Sequence, residues 1–575
     1  MNLRTWKFHP QQSEKSAILA KELGLSGEMA QILMNRGLEN PQEARHFLSP
    51  SWERIPSPFL LADMDRAIER TARALRQHEK IVIFGDFDVD GITGTSLLYN
   101  ALRDMGGNTA FYIPDRLSEG YGMSVEALRR LRAEGAQVVI TADNGIAHLK
   151  EAEAARELGI DLIITDHHEP GSELPKAYAV VNPKRRDCRY PEDTIAGVGV
   201  AFQFLLALRN FLREKGYYGE IPEPNLKRYL DIVALGTIAD VVPLVGVNRL
   251  LVKEGIEVMR QSQWPGIQAL LSVSRISPED LSSTRVAFSL APKINASGRI
   301  GNARTAVELL TATSLRGALD LAAELYSLNL SRMKLQEETL QEAVAQVEGD
   351  LERESAIVVA SERWHPGVVG IVAAKLVELY HKPTVVIALS EGMGRGSART
   401  PQGYDIRAAL ADCSQHLEAF GGHAQAAGLT LCADRLLPFK KAFSSAIASR
   451  PKGAERVLMI DLSLPLSRLS HALVEELELL KPFGAGNAEP LFAAQRLKVL
   501  SSKIVGRGHL KLRLKGEEGD SSAGKAAAEG IAFGMGEQIS HLGRELDVAY
   551  VPEINRWRGK TAIQLNIKDM KEAEK

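Results

Sequence analysis

The sequence predicts an α/β protein built from several domains, and three observations carry that expectation. Its 575 residues exceed what one hydrophobic core serves, because domains run to roughly 150 residues, so three or four units are expected. Short β-branched runs alternate with helix-compatible stretches through the first half, as in βαβ units around a buried, largely parallel sheet. Beyond about residue 455 the pattern changes to strands at close intervals, as in a small barrel.

Taken in order, residues 10–80 read as amphipathic helices, with Leu60, Leu61, Met64, Ala67 and Ile68 at helical spacing. Strand signals come next, at 81–84, 110–113, 138–141, 162–165 and 177–181. From 318 to 351 apolar residues recur at three- and four-residue steps without proline, which predicts a helix of roughly 50 Å that connects two domains. A second, smaller α/β block has strands at 356–360 and 384–388 and glycine-rich turns up to about 450. The C-terminal block has strands at 456–460, 510–514, 548–551 and 562–567, and its low-complexity segment 516–530 reads as a loop. The expected boundaries are 1–315 for the first α/β domain with its N-terminal helical segment, 316–352 for the connecting helix, 353–452 for the second α/β domain and 453–575 for the barrel.

Composition narrows the class. Hydrophobic residues make up 45% and charged residues 25%, a globular profile rather than a disordered, collagenous or membrane one. No apolar run approaches 18 residues and the first residues lack a secretory core, so the expectation is a cytoplasmic protein without membrane contact. The cysteines, Cys188, Cys413 and Cys432, have no CxxC spacing and are read as free thiols. Seventy basic against 72 acidic residues leave a net charge of −2, so affinity for a polyanion must come from local clusters.

The chemistry is concentrated where predicted strands end in acids. Phe84-Gly85-Asp86-Phe87-Asp88-Val89-Asp90, Thr141-Ala142-Asp143-Asn144-Gly145 and Thr165-Asp166-His167-His168 each come at the end of a strand, and Leu235-Gly236-Thr237-Ile238-Ala239-Asp240 is a fourth candidate segment. In open parallel sheets the carboxyl ends of strands form the ligand crevice, so these segments converge. An isolated DxD is usually a solvated turn, but three acidic segments at strand ends of one block are not explained that way. Carboxylates brought so close repel unless cations lie between them. Oxygen ligands with one or two imidazoles suit Mn²⁺ or Mg²⁺ better than zinc, and a bridged pair of ions suits an in-line displacement at phosphorus. Hydrolysis of a phosphate ester or anhydride is the implied reaction.

The ordered motifs GDFDVDG, ADNG, DHH and GTIADVVPL resemble those of the DHH phosphoesterases. The further motifs IPDRLSEGYG, INASGRIGNA, GRGSART, FGGHAQAAG and KPFGAGNAEPLF are similar to those of its bacterial single-strand-specific exonuclease branch, so the resemblance covers nearly the whole chain. It implies a DHH domain, a DHH-associated domain that closes over substrate, and an OB-like barrel. It also implies two Mn²⁺ or Mg²⁺ ions held by Asp88, Asp90, Asp143, His167 and Asp240, with Asp143 as the bridge. Asp86 and His168 complete the shell or contact the scissile phosphate. Where smaller phosphatases of the family carry a histidine four residues before the first ligand aspartate, this chain has Phe84, which implies a first ion held with more water.

The resemblance further assigns Arg116, Ser397 and Arg399 to a 5′-phosphate pocket, with Arg395 in the same motif, and places Arg299 along the nucleic-acid path. The glycines around Arg395 suggest backbone N–H groups that approach phosphate. His423 is either a phosphate donor or the support of a tight turn, and His365 is better explained by a turn before a helix. In the last block Arg507, His509, Lys511, Arg513, Arg556, Trp557, Arg558 and Lys560 put cations beside Trp557, an aromatic face for base stacking worth about 1–3 kcal/mol.

The implied activity is release of 5′-mononucleotides from the 5′ end of single-stranded DNA, in repair and recombination, by a monomer whose candidate partners are a single-strand-binding protein and a helicase. Two other readings are a phosphoesterase for short oligonucleotides or cyclic dinucleotides, and a scaffold that binds DNA without catalysis. The long connector argues against the first and the complete acidic set against the second.

Overall fold

The computed structural model describes residues 4–573 except 117, 118, 121, 220, 348–353, 452, 454, 507, 517–526, 558 and 559; the side chains of His541, Arg556, Trp557 and Lys560 also lie outside the described residues. The first sheet has the strand order Asn108–Tyr112, Lys80–Gly85, Ala136–Ala142, Asp161–Thr165, Ala179–Val181, with every neighbouring pair parallel. Alternate side chains enter two separate cores. Ile81, Ile83, Val138 and Ile140 pack against the helices Val89–Asp104, Gly197–Glu214 and Leu230–Ala239. Val82, Phe84, Val139 and Ile164 pack against Val125–Ala133 and Leu149–Glu157. Burial on both faces is why these strands read as continuous apolar runs.

From its second strand, Lys80–Gly85, the chain goes to one neighbour, Asn108–Tyr112, and then crosses to the other, Ala136–Ala142. That reversal opens a crevice at the carboxyl ends, where three of the acidic motifs begin. The fourth arises differently: Leu230–Ala239 is a helix and Asp240 is its C-terminal cap, so this acid reaches the crevice from a helix end.

The connecting helix runs over Leu315–Val347. Ala318, Ala322 and Leu325 belong to the first core, whereas Ala343 and Val347 belong to the second domain. Between these anchored ends one face meets solvent, with Leu330 and Met333 about half exposed, while Asn329 and Thr339 are buried. The second sheet has the order Ala419–Gly422, Ala426–Cys432, Met393–Arg399, Thr384–Ser390, Ile357–Ser361, parallel only between the last two. The glycine-rich GRGSART segment is therefore mostly a central strand, not a loop. Its backbone pairs on both sides, Ser397 with Val386 and Gly428, so free N–H groups are not what it offers a phosphate.

The C-terminal strands Phe492–Val505, His509–Lys515, Ala527–Ala532, Lys560–Glu572 and Glu545–Trp557 close on themselves through pairing of the last with the first over Phe492–Lys498 and Glu545–Tyr550. The segment read as a loop over 516–530 ends in the strand Ala527–Ala532, and 517–526 lie outside the described residues. Val457–Ile460 is a strand but pairs in parallel with Thr5–Phe8 rather than within the barrel. The first helices also turn to the barrel: Leu19, Met29, Ile32 and Leu33 share a core with Phe492, Leu512, Val548 and Leu565. Helical periodicity identifies an apolar face without saying which core receives it. No helix among the described residues is long and apolar enough to cross a membrane.

Candidate active site

Each acidic motif is fixed locally by hydrogen bonds from its own surroundings. Asp88 is the N-cap of Val89–Asp104, its carboxylate accepting from the Gly91 N–H at 3.0 Å. Asp90, in the first turn of that helix, accepts from the N–H groups of Gly197 at 2.6 Å and Val198 at 2.8 Å. Those donors are the open N-terminus of the helix Gly197–Glu214. Asp143 has a left-handed backbone, φ 64°, and a Cβ on Gly197 would lie 2.6 Å from its Oδ1, so this approach needs glycine. Asn144 steadies the turn by donating to the carbonyls of Phe84 and Ala142. Asp166 accepts from the N–H groups of Ile146, His167 and His168 and from the His168 ring at 2.7 Å.

The side chains meet. His167 Nε2 lies 3.2 Å from Asp143 Oδ1, 3.5 Å from Asp240 Oδ2 and 3.8 Å from Asp90 Oδ2. Three groups have atoms within ligating reach of one another: Asp143, His167 and His168; Asp90, His167 and Asp240; and Asp86, Asp88 and Asp143. Asp143 links the carboxylate-only group to the imidazoles, the position of a bridge. Phe84 is fully buried against Tyr112, and its carbonyl accepts from the Asn144 amide.

Whether these residues fit a cation is decided by His167. Its Nδ1 faces the Ile195 carbonyl at 3.0 Å, and because a carbonyl only accepts, that nitrogen carries the proton. Burial, then the charge of His168, pulls the imidazole down to about 4, so it is neutral and Nε2 presents a lone pair. That lone pair faces Asp143 Oδ1, and both atoms are buried without a hydrogen-bond partner among the described residues. Two acceptors facing each other in a dry site are satisfied by a cation between them. The oxygen-rich set with one or two imidazoles fits Mn²⁺ or Mg²⁺.

Without a cation the acids are costly. Burial, then the charge of Asp88, pushes Asp90 up to about 7, and burial, then Asp90 and Asp88, pushes Asp240 up to about 8. Burial and neighbouring carboxylates also hold Asp86 and Asp143 well above the ordinary range. For His168 burial works against the charge, but the hydrogen bond and charge of Asp166 prevail and raise it to about 9. Between about pH 7 and 8 the folded, metal-free protein thus keeps protons on Asp240 and His168, and in part on Asp90, that the unfolded chain releases; His167 is neutral in the fold and mostly so in the unfolded chain. Metal-free stability is expected to fall as pH rises through that window, and bound Mn²⁺, which needs carboxylates ionised as they already are in the unfolded chain, to flatten the slope. Melting temperatures with and without Mn²⁺ should diverge with pH; parallel profiles would contradict this assignment.

Beside the carboxylates lies a pocket of about 190 Å³ lined by Arg116, Arg299, Arg395, Ser397 and Arg399 together with the turn before the helix Val369–Tyr380. Arg116 and Arg299 come from the first α/β domain and the other three from the second. Arg395, Ser397 and Arg399 share one face because strand side chains alternate. Gly394 and Gly396 turn to the other face, against Ile387. Arg399 donates to Ser397 Oγ at 2.9 Å, and Arg116 stacks over Phe87, between Asp86 and Asp88, at 5.0 Å. Burial, then the charge of Arg116, lowers Arg299 to about 10. Guanidinium groups gathered against their own repulsion suit a phosphate.

His423 is placed apart from this pocket, whereas His365 directly precedes the turn that lines it. His423 is exposed in the turn between Ala419–Gly422 and Ala426–Cys432, with its N–H bonded to the Ala426 carbonyl, and does not line the arginine pocket. His365 Nδ1 accepts from the Gly367 N–H, in keeping with a turn. The Trp557 side chain lies outside the described residues, as does Arg507. His509, Lys511 and Arg513 do alternate along one strand of the barrel. Sequence reasoning gave no role to Asp166, Ile195, Gly197 or Val198. The run Ala196-Gly197-Val198-Gly199 at the start of a helix was the available signal, since small residues there admit a carboxylate.

A doubly wound sheet that gathers aspartates and histidines at its switch point, with a second domain supplying arginines across the cleft, defines a DHH phosphoesterase. The chain matches the family models for the DHH family N-terminal domain over residues 80–237, the DHHA1 domain over 353–449 and the RecJ OB domain over 460–569. It belongs to the RecJ family of single-stranded-DNA-specific exonucleases. It is 36% identical over 573 residues to the RecJ exonuclease of Bacillus subtilis, covering 98% of this chain and 70% of that protein. It is 35% identical over 559 residues to the Escherichia coli protein, covering 94% and 95%. The crystal structure of RecJ in complex with Mn²⁺ from Thermus thermophilus superposes with a TM-score of 0.85 at 31% identity, over 99% of this chain and 80% of that one.

Proposed function

We propose that this chain hydrolyses single-stranded DNA from its 5′ end and releases 5′-mononucleotides, with two Mn²⁺ or Mg²⁺ ions held by Asp88, Asp90, Asp143, His167 and Asp240. The observation that carries this reading is the arginine pocket beside the carboxylates, with Arg116 lining the pocket and stacked over Phe87, between Asp86 and Asp88. A terminal 5′-phosphate held by Arg116, Ser397 and Arg399 sets the next phosphodiester at the acids, so that one nucleotide leaves at a time. The ions supply charge neutralisation and an activated water. The protein's part is positional. Gly197, Val198 and Gly91 N–H groups aim the carboxylates, the Ile195 carbonyl fixes the His167 tautomer, and Asp166 keeps His168 protonated as a donor.

Asp86, grouped with Asp88 and Asp143, fits a further ligand or an acceptor for ordered water. The working units are the α/β part of 1–315 for catalysis, 353–452 for closure over substrate and 453–575, on which the helices within 13–48 pack, for nucleic-acid contact. The helix Leu315–Val347 acts as a strut that fixes the distance between the two α/β domains, and the barrel residues His509, Lys511 and Arg513 track the strand backbone.

Cleavage should require single strands if the cleft between the domains is too narrow for a duplex. End-labelled single strands and matched blunt duplexes, sampled over time with Mn²⁺, Mg²⁺ or chelator, test both points. The expected result is single-strand cleavage only with an ion present. Equal cleavage of both substrates would refute the narrow cleft, and turnover in chelator would refute the metal reading.

A further inference from the structure

The KPFGAGNAEPLF segment lies far along the chain from the acids, yet it grips the turn that carries one of them. Asp240 caps its helix with an N–H bond to the Gly236 carbonyl, and the next residue, Val241, has φ 61°. A β-branched residue in the left-handed region is strained and persists only where surrounding contacts hold it. Val241 itself is 69% exposed, so the restraint comes from Pro243 and Leu244, further along the turn. The Pro243 carbonyl accepts from Asn248 at 3.0 Å, and the Leu244 N–H donates to the Ala485 carbonyl at 2.8 Å. Leu244 is buried beneath Gly484, where a Cβ would come within 2.7 Å of its Cδ1, and a Cβ on Gly486 would come within 2.9 Å of Pro243.

The gripping loop is itself stiff. Gly484 and Asn487 exchange backbone hydrogen bonds, and the Asn487 amide donates to the carbonyls of Leu480 and Pro482. Ser283 donates to the Phe483 carbonyl at 2.6 Å. Arg249, on the helix immediately after the strained turn, is buried and donates to the carbonyls of Leu479, Leu480 and Lys481. The loop and the turn are thereby one body.

We propose that residues 483–487 are positioning residues for the metal site: by clamping the turn Asp240–Leu244 they set where the Asp240 carboxylate points. The proposal deepens the metal reading, because it rests on Asp240 being a ligand. Groups that orient a ligand from outside typically change metal affinity by about 10- to 100-fold. It also makes the C-terminal segment part of the catalytic apparatus, not only a surface for nucleic acid.

The test is Mn²⁺ titration by calorimetry of the full-length protein without DNA, on wild type, Asp240→Asn, Gly484→Val and the milder Leu244→Ala. The expected result is that all three substitutions weaken the same Mn²⁺ binding step, the last two by about 10-fold. Single-strand affinity measured in chelator should stay at the wild-type value, and the rate loss should fall on kcat rather than KM. Weakening in Asp240→Asn with an unchanged titration in both Gly484→Val and Leu244→Ala would overturn the clamp alone. An unchanged titration in Asp240→Asn would overturn the ligand assignment and the clamp with it.

Discussion

Replacing Asp143 by alanine is expected to reduce hydrolysis by at least about 10³-fold while leaving single-strand binding in chelator intact. Asp143 is the one acid that lies within ligating reach of both the Asp86–Asp88 pair and the two histidines among the described residues. Its loss removes the shared carboxylate and leaves His167 Nε2 facing Asp90 and Asp240. Asp143→Asn is a stricter form, because it keeps shape and turn geometry while removing charge. The measurement is the initial rate on end-labelled single strands at saturating Mn²⁺, beside affinity in chelator. Robust residual hydrolysis would discredit the bridge. Lost binding would instead mean that the left-handed turn at 143 supports the fold.

The second large effect concerns choice of strand end. Arg399→Ala should narrow the preference for 5′-phosphorylated over 5′-hydroxyl ends by about 10- to 100-fold, since a charged hydrogen bond contributes about 1.5–3 kcal/mol. Arg399 is half-buried and already oriented by Ser397 Oγ and the Ala398 carbonyl, so its fork meets a ligand with little further ordering. Arg399→Lys keeps the charge and loses the fork, and should fall between the two. The ratio of initial rates on the two kinds of end is the measurement. An unchanged ratio would remove Arg399 from the pocket.

Much of this site was legible in the sequence because its acids come directly after strands that are buried on both faces and therefore announce themselves. Phe84, Ala142 and Thr165 each end or adjoin such a run, and the nearby acids fall into one crevice by topology alone. The connecting helix was legible for a similar reason, an unbroken apolar stripe with no proline. Asp240 was harder, since its segment is apolar on all sides and a buried helix and a buried strand share that signature. GRGSART was read for its glycines, but the informative feature was the two-residue spacing of Arg395, Ser397 and Arg399, which is a strand face.

What stayed hidden were long-range partnerships. Nothing in the amphipathic pattern of Leu19, Ile32 and Leu33 says that they pack on a barrel more than 400 residues away in sequence, or that Thr5–Phe8 pairs with Val457–Ile460. The grip of Gly484 on Leu244 is of the same kind. Its sequence signal, glycines around an asparagine, marks a tight turn and is silent about what the turn touches.

If the dispersed acids form one site for a pair of cations joined through Asp143, the ions can be counted. Calorimetric titration of wild type and Asp143→Ala with Mn²⁺ gives both the number per chain and the affinity of each step. Two ions are expected in the wild type, with both steps weakened in the variant because the bridge serves both. One ion in the wild type, or two whose affinities ignore Asp143, would refute the bridged pair.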